Sequence, residues 1–285
     1  MVQFNERMAI LNKDMTLCIS LAARPSNIGT RFHNYLYERL GLNFVYKAFA
    51  PADLAAAVQG IRGLPIRGAA VSMPYKEAVI PLVDRLAPSA AAIDSVNTIV
   101  NDDGVLTAYN TDYQAVERLL AENRVPSDLS VMLRGSGGMA KAVVAAFRDA
   151  GFRNVTVVAR NEEKGRALAG LYGFAWQADD DGGRLADGMQ AQVLVNVTPL
   201  GMRGADEDAL SFPLPAIEAA ELVFDVVAMP AETPLLKAAR AAGKRVITGA
   251  EVASIQAEEQ FVLYTGVRPD ADLVREASEF SRQEV

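Results

Sequence analysis

Ser130-Val131-Met132-Leu133-Arg134-Gly135-Ser136-Gly137-Gly138-Met139-Ala140 is an apolar run that ends in a glycine-rich turn. An alanine-rich segment at helical spacing, Ala140 to Ala150, follows at once. Strand, glycine turn and helix in that order open a dinucleotide-binding βαβ unit, with Gly135, Gly137 and Ala140 in its three small-residue places. Each place has a task. Gly135 permits the tight turn, Gly137 lets a pyrophosphate approach the backbone, and Ala140 lets the helix pack close to the strand. Unpaired N–H groups at the helix N-terminus then offer a partial positive charge to the phosphates.

A second apolar run, Asn154-Val155-Thr156-Val157-Val158-Ala159, arrives after that helix, with Arg160-Asn161 just past its end. The adenosine ribose of a bound cofactor lies at such an end. An acidic residue there favours a free 2′-hydroxyl; Arg160, with Lys164 one helical turn on, suits a 2′-phosphate. The expected cofactor is NADP. The plainer reading is a pair of solvated surface cations.

The chain has 285 residues, enough for two domains and a sizeable core. No uninterrupted apolar stretch approaches the roughly 20 residues of a membrane helix, and Met1 to Lys13 lacks the apolar core of a leader peptide. The single cysteine, Cys18, lies in an apolar run with no partner for an internal disulfide, so a cytoplasmic setting is expected. The formal charge is −7 with acidic residues spread along the chain, which speaks against nucleic acid as a partner. One histidine, one cysteine and no compact carboxylate set beyond Asp179-Asp180-Asp181-Gly182 give no metal site; that loop reads as a solvated turn. The expected partner is a small molecule, and the chain a monomer or homodimer.

Cys18 to Leu21 ends a first strand and runs into the loop Ala22 to Thr30. A helix from Phe32 to Leu40 stops at Gly41, Phe44 to Phe49 is a strand, and Pro51 to Arg62 a helix. Gly68 to Val71 is a strand, and Ser95 to Asn101 with Val105 to Tyr109 flank Asp102-Asp103-Gly104 as a hairpin. A helix from about Asp112 to Asn123 and the linker Arg124-Val125-Pro126-Ser127 lead to the glycine-turn strand. Beyond Val155 to Ala159 come strands Val193 to Asn196, Leu222 to Val226 and Arg245 to Thr248. Helices intervene, Asn161 to Tyr172 and Pro234 to Ala242 being the clearest. From Gly249 onward only helical patterns remain, Glu251 to Thr265 and Asp270 to Arg282, and these are expected to pack back on the first domain. The fold class is α/β: an N-terminal α/β substrate domain over 1–112, completed by 249–285, and a Rossmann-type domain over 113–248.

Three polar groups stand at strand ends or turns of the first part: Ser72 with Lys76, Asn97 with Thr98, and Asn110-Thr111-Asp112. Loops at strand C-termini face the ligand crevice of such sheets. A lysine and a carboxylate converging there can move a proton while a nicotinamide moves a hydride. Burial favours the neutral form of a lysine, and a neighbouring carboxylate holds it charged. Taken singly, Lys76 also reads as a surface residue at a helix start and Asp112 as an N-cap.

With these residues in view, the chain resembles the shikimate dehydrogenases. Ser72-Met73-Pro74-Tyr75-Lys76, Ser95-Val96-Asn97-Thr98, Asn110-Thr111-Asp112, the glycine turn, Asn196-Val197-Thr198-Pro199-Leu200-Gly201 and Gly249 through Gln256 fall in that family's order, from about residue 17 to the C-terminus. The resemblance implies reversible, NADP-linked oxidation of the ring hydroxyl of shikimate to 3-dehydroshikimate. It makes Lys76 and Asp112 the catalytic dyad, in a cleft opposite the nicotinamide. Ser72, Asn97 and Gln256 would hold substrate hydroxyls. Gly135, Ser136, Gly137, Gly138, Arg160, Asn161 and Lys164 would hold the cofactor, Met139 and Ala140 belong to the same turn, and Thr198 and Pro199 would line the nicotinamide side.

The departures are specific. The family's serine pair for the substrate carboxylate has no clean counterpart, because Ala22-Ala23 precede Arg24-Pro25; Ser20, Ser26, Asn27 or Thr30 are the substitutes at hand. A common asparagine is Ala70, a family tyrosine is Ala228, and Tyr113 and Glu251 occupy places that are often glycine. The sequence therefore resembles the divergent shikimate dehydrogenase-like branch, with reduced efficiency on shikimate expected. Quinate or aminoshikimate as substrate, or a non-catalytic metabolite or cofactor sensor, are the alternatives. His33, the single histidine, is expected to pack or cap.

Overall fold

The computed structural model describes residues 11–179 and 190–283. Most of the leader-peptide reading at Met1 to Lys13, and Asp180, Asp181 and Gly182 of the acidic turn, lie outside the described residues. The chain divides into two compact units, Met1–Tyr109 with Ala257–Val285, and Asn110–Gln256.

In the first unit, β1 (Thr16–Leu21) is followed by α1 (Asn27–Arg39), β2 (Phe44–Phe49), α2 (Leu54–Gly63) and β3 (Gly68–Val71). Then come α3 (Tyr75–Ala78), β4 (Arg85–Leu86), α4 (Pro88–Ala91) and the hairpin β5 (Thr98–Asp102) and β6 (Val105–Tyr109). The sheet order is β2-β1-β3-β5-β6-β4. Its β2-β1-β3 part is parallel, β3-β5 and the β5-β6 hairpin are antiparallel, and β6-β4 is parallel again. Alternation along β1 serves two cores: Ile19 and Leu21 pack with Val58 and Ile61 of α2, while Cys18 packs with Phe32 and Leu36 of α1.

Two sequence boundaries move for local reasons. The first helix begins at Asn27 instead of Phe32, because the chain folds into helix straight after Ser26, which stands extended at the N-cap position. The second begins at Leu54, not Pro51, because Asp53 caps it by accepting the Ala56 N–H at 3.0 Å.

In the second unit, α5 (Thr111–Glu122) leads to β7 (Val131–Arg134), α6 (Gly138–Asp149), β8 (Val155–Ala159), α7 (Glu162–Tyr172) and β9 (Ala175–Ala178). There follow β10 (Val193–Asn196), α8 (Leu214–Ala219), β11 (Leu222–Asp225), α9 (Pro234–Ala241) and β12 (Arg245–Thr248). The sheet order is β12-β11-β10-β7-β8-β9, and every pair is parallel. That is the doubly wound dinucleotide-binding order, and it reverses between β7 and β10. Every residue of β7, β8, β10 and β11 is buried, which is why these strands read as continuous apolar runs.

Two helices close the chain, α10 (Gly249–Thr265) and α11 (Ala271–Arg282). As the sequence implied, the closing segment packs on the first unit's sheet. Phe261, Tyr264, Leu273, Val274 and Ala277 share a core with Cys18, Phe32 and Leu36. Tyr264 lies on Gly68 of β3 so closely that a methyl there would run into its ring. Arg31 of α1 donates from Nε and Nη2 to the Phe280 carbonyl at 3.2 and 2.9 Å. Burial of a side chain such as Phe261 contributes about 1.5–3 kcal/mol to such docking. Among the described residues, no helix is long and apolar enough to cross a membrane.

Candidate functional site

Three strand ends of the second unit border a cavity of about 580 Å³, within the usual range of small-molecule sites. The ends are those of β7, β8 and β10, so the cavity lies at the point where the sheet order reverses. Gly135, Ser136 and Gly137 form its floor after β7. Gly135 takes φ +122°, and a methyl on it would meet Val197 Cγ2 at 2.9 Å and the Val197 carbonyl at 3.0 Å. Only glycine fits both demands. Gly135→Ala is expected to destabilise this unit by about 1–3 kcal/mol, measured by thermal or urea unfolding; an unchanged midpoint would refute the close packing.

Gly137 stands at the N-cap of α6 and brings no side chain to cap it, so the helix N-terminus is dressed for an anion. At the end of β8, Arg160 and Lys164 are exposed on the cavity wall. Asn161 caps α7, its Oδ1 accepting the Lys164 N–H at 2.8 Å, which fixes the backbone that carries both cations. Asp179 also lines the cavity, yet it is no solvated turn residue. Its carboxylate takes a two-pronged ion pair from Arg134, Nε to Oδ2 at 2.9 Å and Nη2 to Oδ1 at 3.2 Å, with the two side chains 5% and 4% exposed.

The remaining wall, Val197, Thr198 and Pro199, is held by a buried network. Asn196 Oδ1 accepts from Thr198 N at 3.1 Å and Thr198 Oγ1 at 2.6 Å, and its Nδ2 donates to Asp225 Oδ1 at 2.9 Å. Thr233 Oγ1 donates to Asp225 Oδ2 at 2.6 Å. Burial pushes the Asp225 carboxyl above its ordinary range, while hydrogen bonds from Thr233, Val227 and Asn196 oppose it.

In the first unit, backbone bonds gather Ser72, Lys76 and Asn97 at one end of the sheet. Ser72 N–H donates to the Leu21 carbonyl at 2.9 Å, Val96 N–H to the Lys76 carbonyl at 2.8 Å, and Val71 N–H to the Asn97 carbonyl at 2.7 Å. Gln260 of α10 donates to Thr98 Oγ1 at 2.9 Å and to the Asn97 carbonyl at 3.2 Å. Thr98 Oγ1 in turn donates to Asn97 Oδ1 at 2.8 Å. That chain fixes which way the Asn97 amide faces.

A model of the shikimate dehydrogenase substrate binding domain matches residues 27–99. A shikimate dehydrogenase-like protein of Haemophilus influenzae is 52% identical over 274 residues, covering 96% of this chain and 99% of that one. The chain belongs to the shikimate dehydrogenase family. An NADP(+) shikimate dehydrogenase of Moorella thermoacetica is 38% identical over 267 residues, 89% of this chain and 90% of that protein. The structure of the Thermus thermophilus shikimate 5-dehydrogenase, in complex with NADP(H) and shikimate, covers 94% of this chain and 100% of its own, with a TM-score of 0.82 at 29% identity.

Against the family's pattern, the structure brings Gly135, Ser136, Gly137, Arg160, Asn161, Lys164, Thr198 and Pro199 to one cavity. Gly138, Met139 and Ala140 belong to α6 and are outside its lining; Ala140 is wholly buried. Lys76 is in the first unit; Asp112 and Gln256 are in the second. Asp112 is not an N-cap: Asn110 caps α5, its Oδ1 accepting Tyr113 N–H at 3.0 Å, and Asp112 sits in the first turn. Of the substitutes for the family's serine pair, Thr30 carries the clearest mark, a buried Oγ1 with no hydrogen-bond partner among the described residues. Ser26 stands at the N-cap position of α1 without a side-chain cap bond. Sequence reading missed Gln260, one helical turn after Gln256, and the Arg134–Asp179 pair, whose members are far apart in the chain. Among the described residues no group of three or more His, Cys, Asp or Glu is placed to hold a metal ion.

Proposed function

We propose that this protein is an NADP-dependent oxidoreductase that interconverts shikimate, or a close ring-acid analogue, with its 3-dehydro form. The observation that carries the reading is the glycine-floored cavity whose wall carries Arg160, the first residue after β8, and Lys164. The donor set suits the group: an uncapped helix N-terminus for a pyrophosphate and two cations for a 2′-phosphate. When bound, NADP supplies the acceptor for the hydride leaving the ring carbon. Lys76 Nζ takes the proton of the hydroxyl at that carbon, and Asp112 is proposed as the second catalytic group. Ser72, Asn97 and Gln256 are proposed to hold ring hydroxyls, and Thr30 and Ser26 the carboxylate. Gln260 positions Asn97 through Thr98.

Each hydrogen bond lost to a carboxylate costs about 1.5–3 kcal/mol. With Ala22 and Ala23 in place of the serine pair, two unreplaced losses would weaken shikimate by a few orders of magnitude, at about 1.4 kcal/mol per tenfold. A cytoplasmic setting is proposed on Cys18, the single cysteine of the sequence, which is buried and free.

The test is reduction of NADP and NAD, side by side, with shikimate, quinate and aminoshikimate. NADP reduction with one of these acids, at a raised KM or low kcat for shikimate, is expected. Cofactor binding without turnover on any of them would make the protein a sensor. Arg160→Ala is expected to weaken NADP roughly tenfold or more, the size of one charge-assisted bond, with NAD little changed by the same titration. Equal losses for both would remove Arg160 from the 2′-phosphate.

A further inference from the structure

Arg134 is the last residue of β7, directly before Gly135, and it ends an otherwise apolar strand. An arginine there, 4% exposed, carries a heavy desolvation cost unless its charge is matched. Its match is Asp179, engaged at 2.9 and 3.2 Å, and the third guanidinium nitrogen, Nη1, donates to the Ser211 carbonyl. Asp179 has a second attachment. Ala159 and Ala178 are register partners, and Asp179 N–H donates to the Ala159 carbonyl at 3.2 Å. Asp179 thus follows β9 as Arg160 follows β8, on the neighbouring strand, and both line the same cavity with Lys164.

A carboxylate at this wall is the group that favours a free ribose 2′-hydroxyl and repels a 2′-phosphate. We infer that Arg134 is a specificity-determining residue for the cofactor: it neutralises Asp179, so that this carboxylate does not oppose Arg160 and Lys164 at a 2′-phosphate. The inference rests on the NADP reading above and names the residue that makes this acid compatible with it. Arg134 itself acts through Asp179, not by touching the ligand.

The test is calorimetric titration of the full chain at fixed pH with 2′,5′-ADP and with 5′-AMP, which differ by the phosphate in question. Arg134→Met is expected to weaken 2′,5′-ADP roughly tenfold or more, from one uncompensated charge near the cavity, and 5′-AMP by less than about threefold. Asp179→Asn is expected to do the opposite, tightening 2′,5′-ADP severalfold because the guanidinium is no longer cancelled. The double variant Arg134→Met with Asp179→Asn is expected to return near the parent. Parallel losses for both ligands in Arg134→Met would reduce the pair to a structural staple and overturn the inference. Should Arg134→Met fail to fold, Asp179→Asn decides by its sign: a gain for 2′,5′-ADP supports the inference, and a loss or no change overturns it. A parent protein that does not prefer 2′,5′-ADP over 5′-AMP would defeat the NADP reading and this one together. A parent preference that both variants leave untouched would defeat this one alone.

Discussion

Lys76→Ala is expected to lower kcat by about 10²–10⁴-fold, the usual contribution of a positioned proton-transfer group, while cofactor affinity stays within a factor of about three. The separation follows from where the residues belong. Every residue lining the glycine-floored cavity lies in the second unit, and Lys76 lies on α3 of the first. The backbone around it has its own supports, Val96 N–H on the Lys76 carbonyl and Tyr75 N–H on the Ser72 carbonyl, and neither depends on the side chain. Truncation at Cβ therefore removes a proton acceptor without loosening the turn. Fold is checked by an unchanged unfolding midpoint, and cofactor binding by fluorescence titration. Lys76→Arg keeps the charge and loses the proton exchange, since a guanidinium does not give up its proton at accessible pH. It is expected to be as slow as alanine. Turnover equal to the parent in both variants would strip Lys76 of its proposed proton role.

Much of this architecture was legible because the four inner strands of the second sheet are buried on both faces. Val155–Ala159 and Val193–Asn196 were readable to the residue, since an apolar run between two helical segments has few other uses. The glycine turn was legible for the same reason, its small residues being set by backbone geometry. Ala175–Ala178, the edge strand β9, was not: Ala-Trp-Gln-Ala is short and only half-buried, so it shows neither period. β4 has two residues and no pattern at all. In the site, capping chemistry was ambiguous at Asn110 and Asp112, both good caps two positions apart, and the tertiary structure chose the first. Gln256 and Gln260 sit one helical turn apart on α10, and nothing local says which reaches Asn97. Arg134 looked like the ragged end of an apolar run because its partner, Asp179, is separated from it by α6, β8, α7 and β9. Long-range charge pairing leaves no periodic trace in a sequence.

Stability is expected to fall by about 3 kcal/mol between pH 7 and pH 4 through His33 alone. His33 is 1% exposed, stacked on Tyr46 with ring centroids 4.4 Å apart and edge-on to Phe32 at 5.4 Å. Phe261 and Tyr264 of α10 close the cage at 6.2 and 5.7 Å. Burial holds its imidazole down to about 3, from an ordinary value of 6.5, with only the Gln260 side chain favouring the protonated ring. The surrounding Tyr37, Tyr46 and Tyr264 hydroxyls are pushed upward by the same burial and stay neutral. The sign follows from which state takes up the proton. As pH drops below about 6.5 the unfolded chain protonates this residue and the folded chain does not, so the equilibrium shifts toward unfolding until pH reaches about 3. Above 6.5 the contribution is complete and flat. His33→Phe keeps a ring in the cage and removes the titration. The unfolding free energy of the parent minus that of the variant is therefore expected to fall steadily, by about 3 kcal/mol, from pH 7 to pH 4, while carboxylate effects common to both cancel. Because the chain has one histidine, its ring protons are assignable by composition alone, and their NMR shifts are expected to stay constant down to about pH 4.5. Parallel stability curves, or a ring that titrates near 6.5 in the folded protein, would mean that water reaches a cage the aromatic stacking should keep dry.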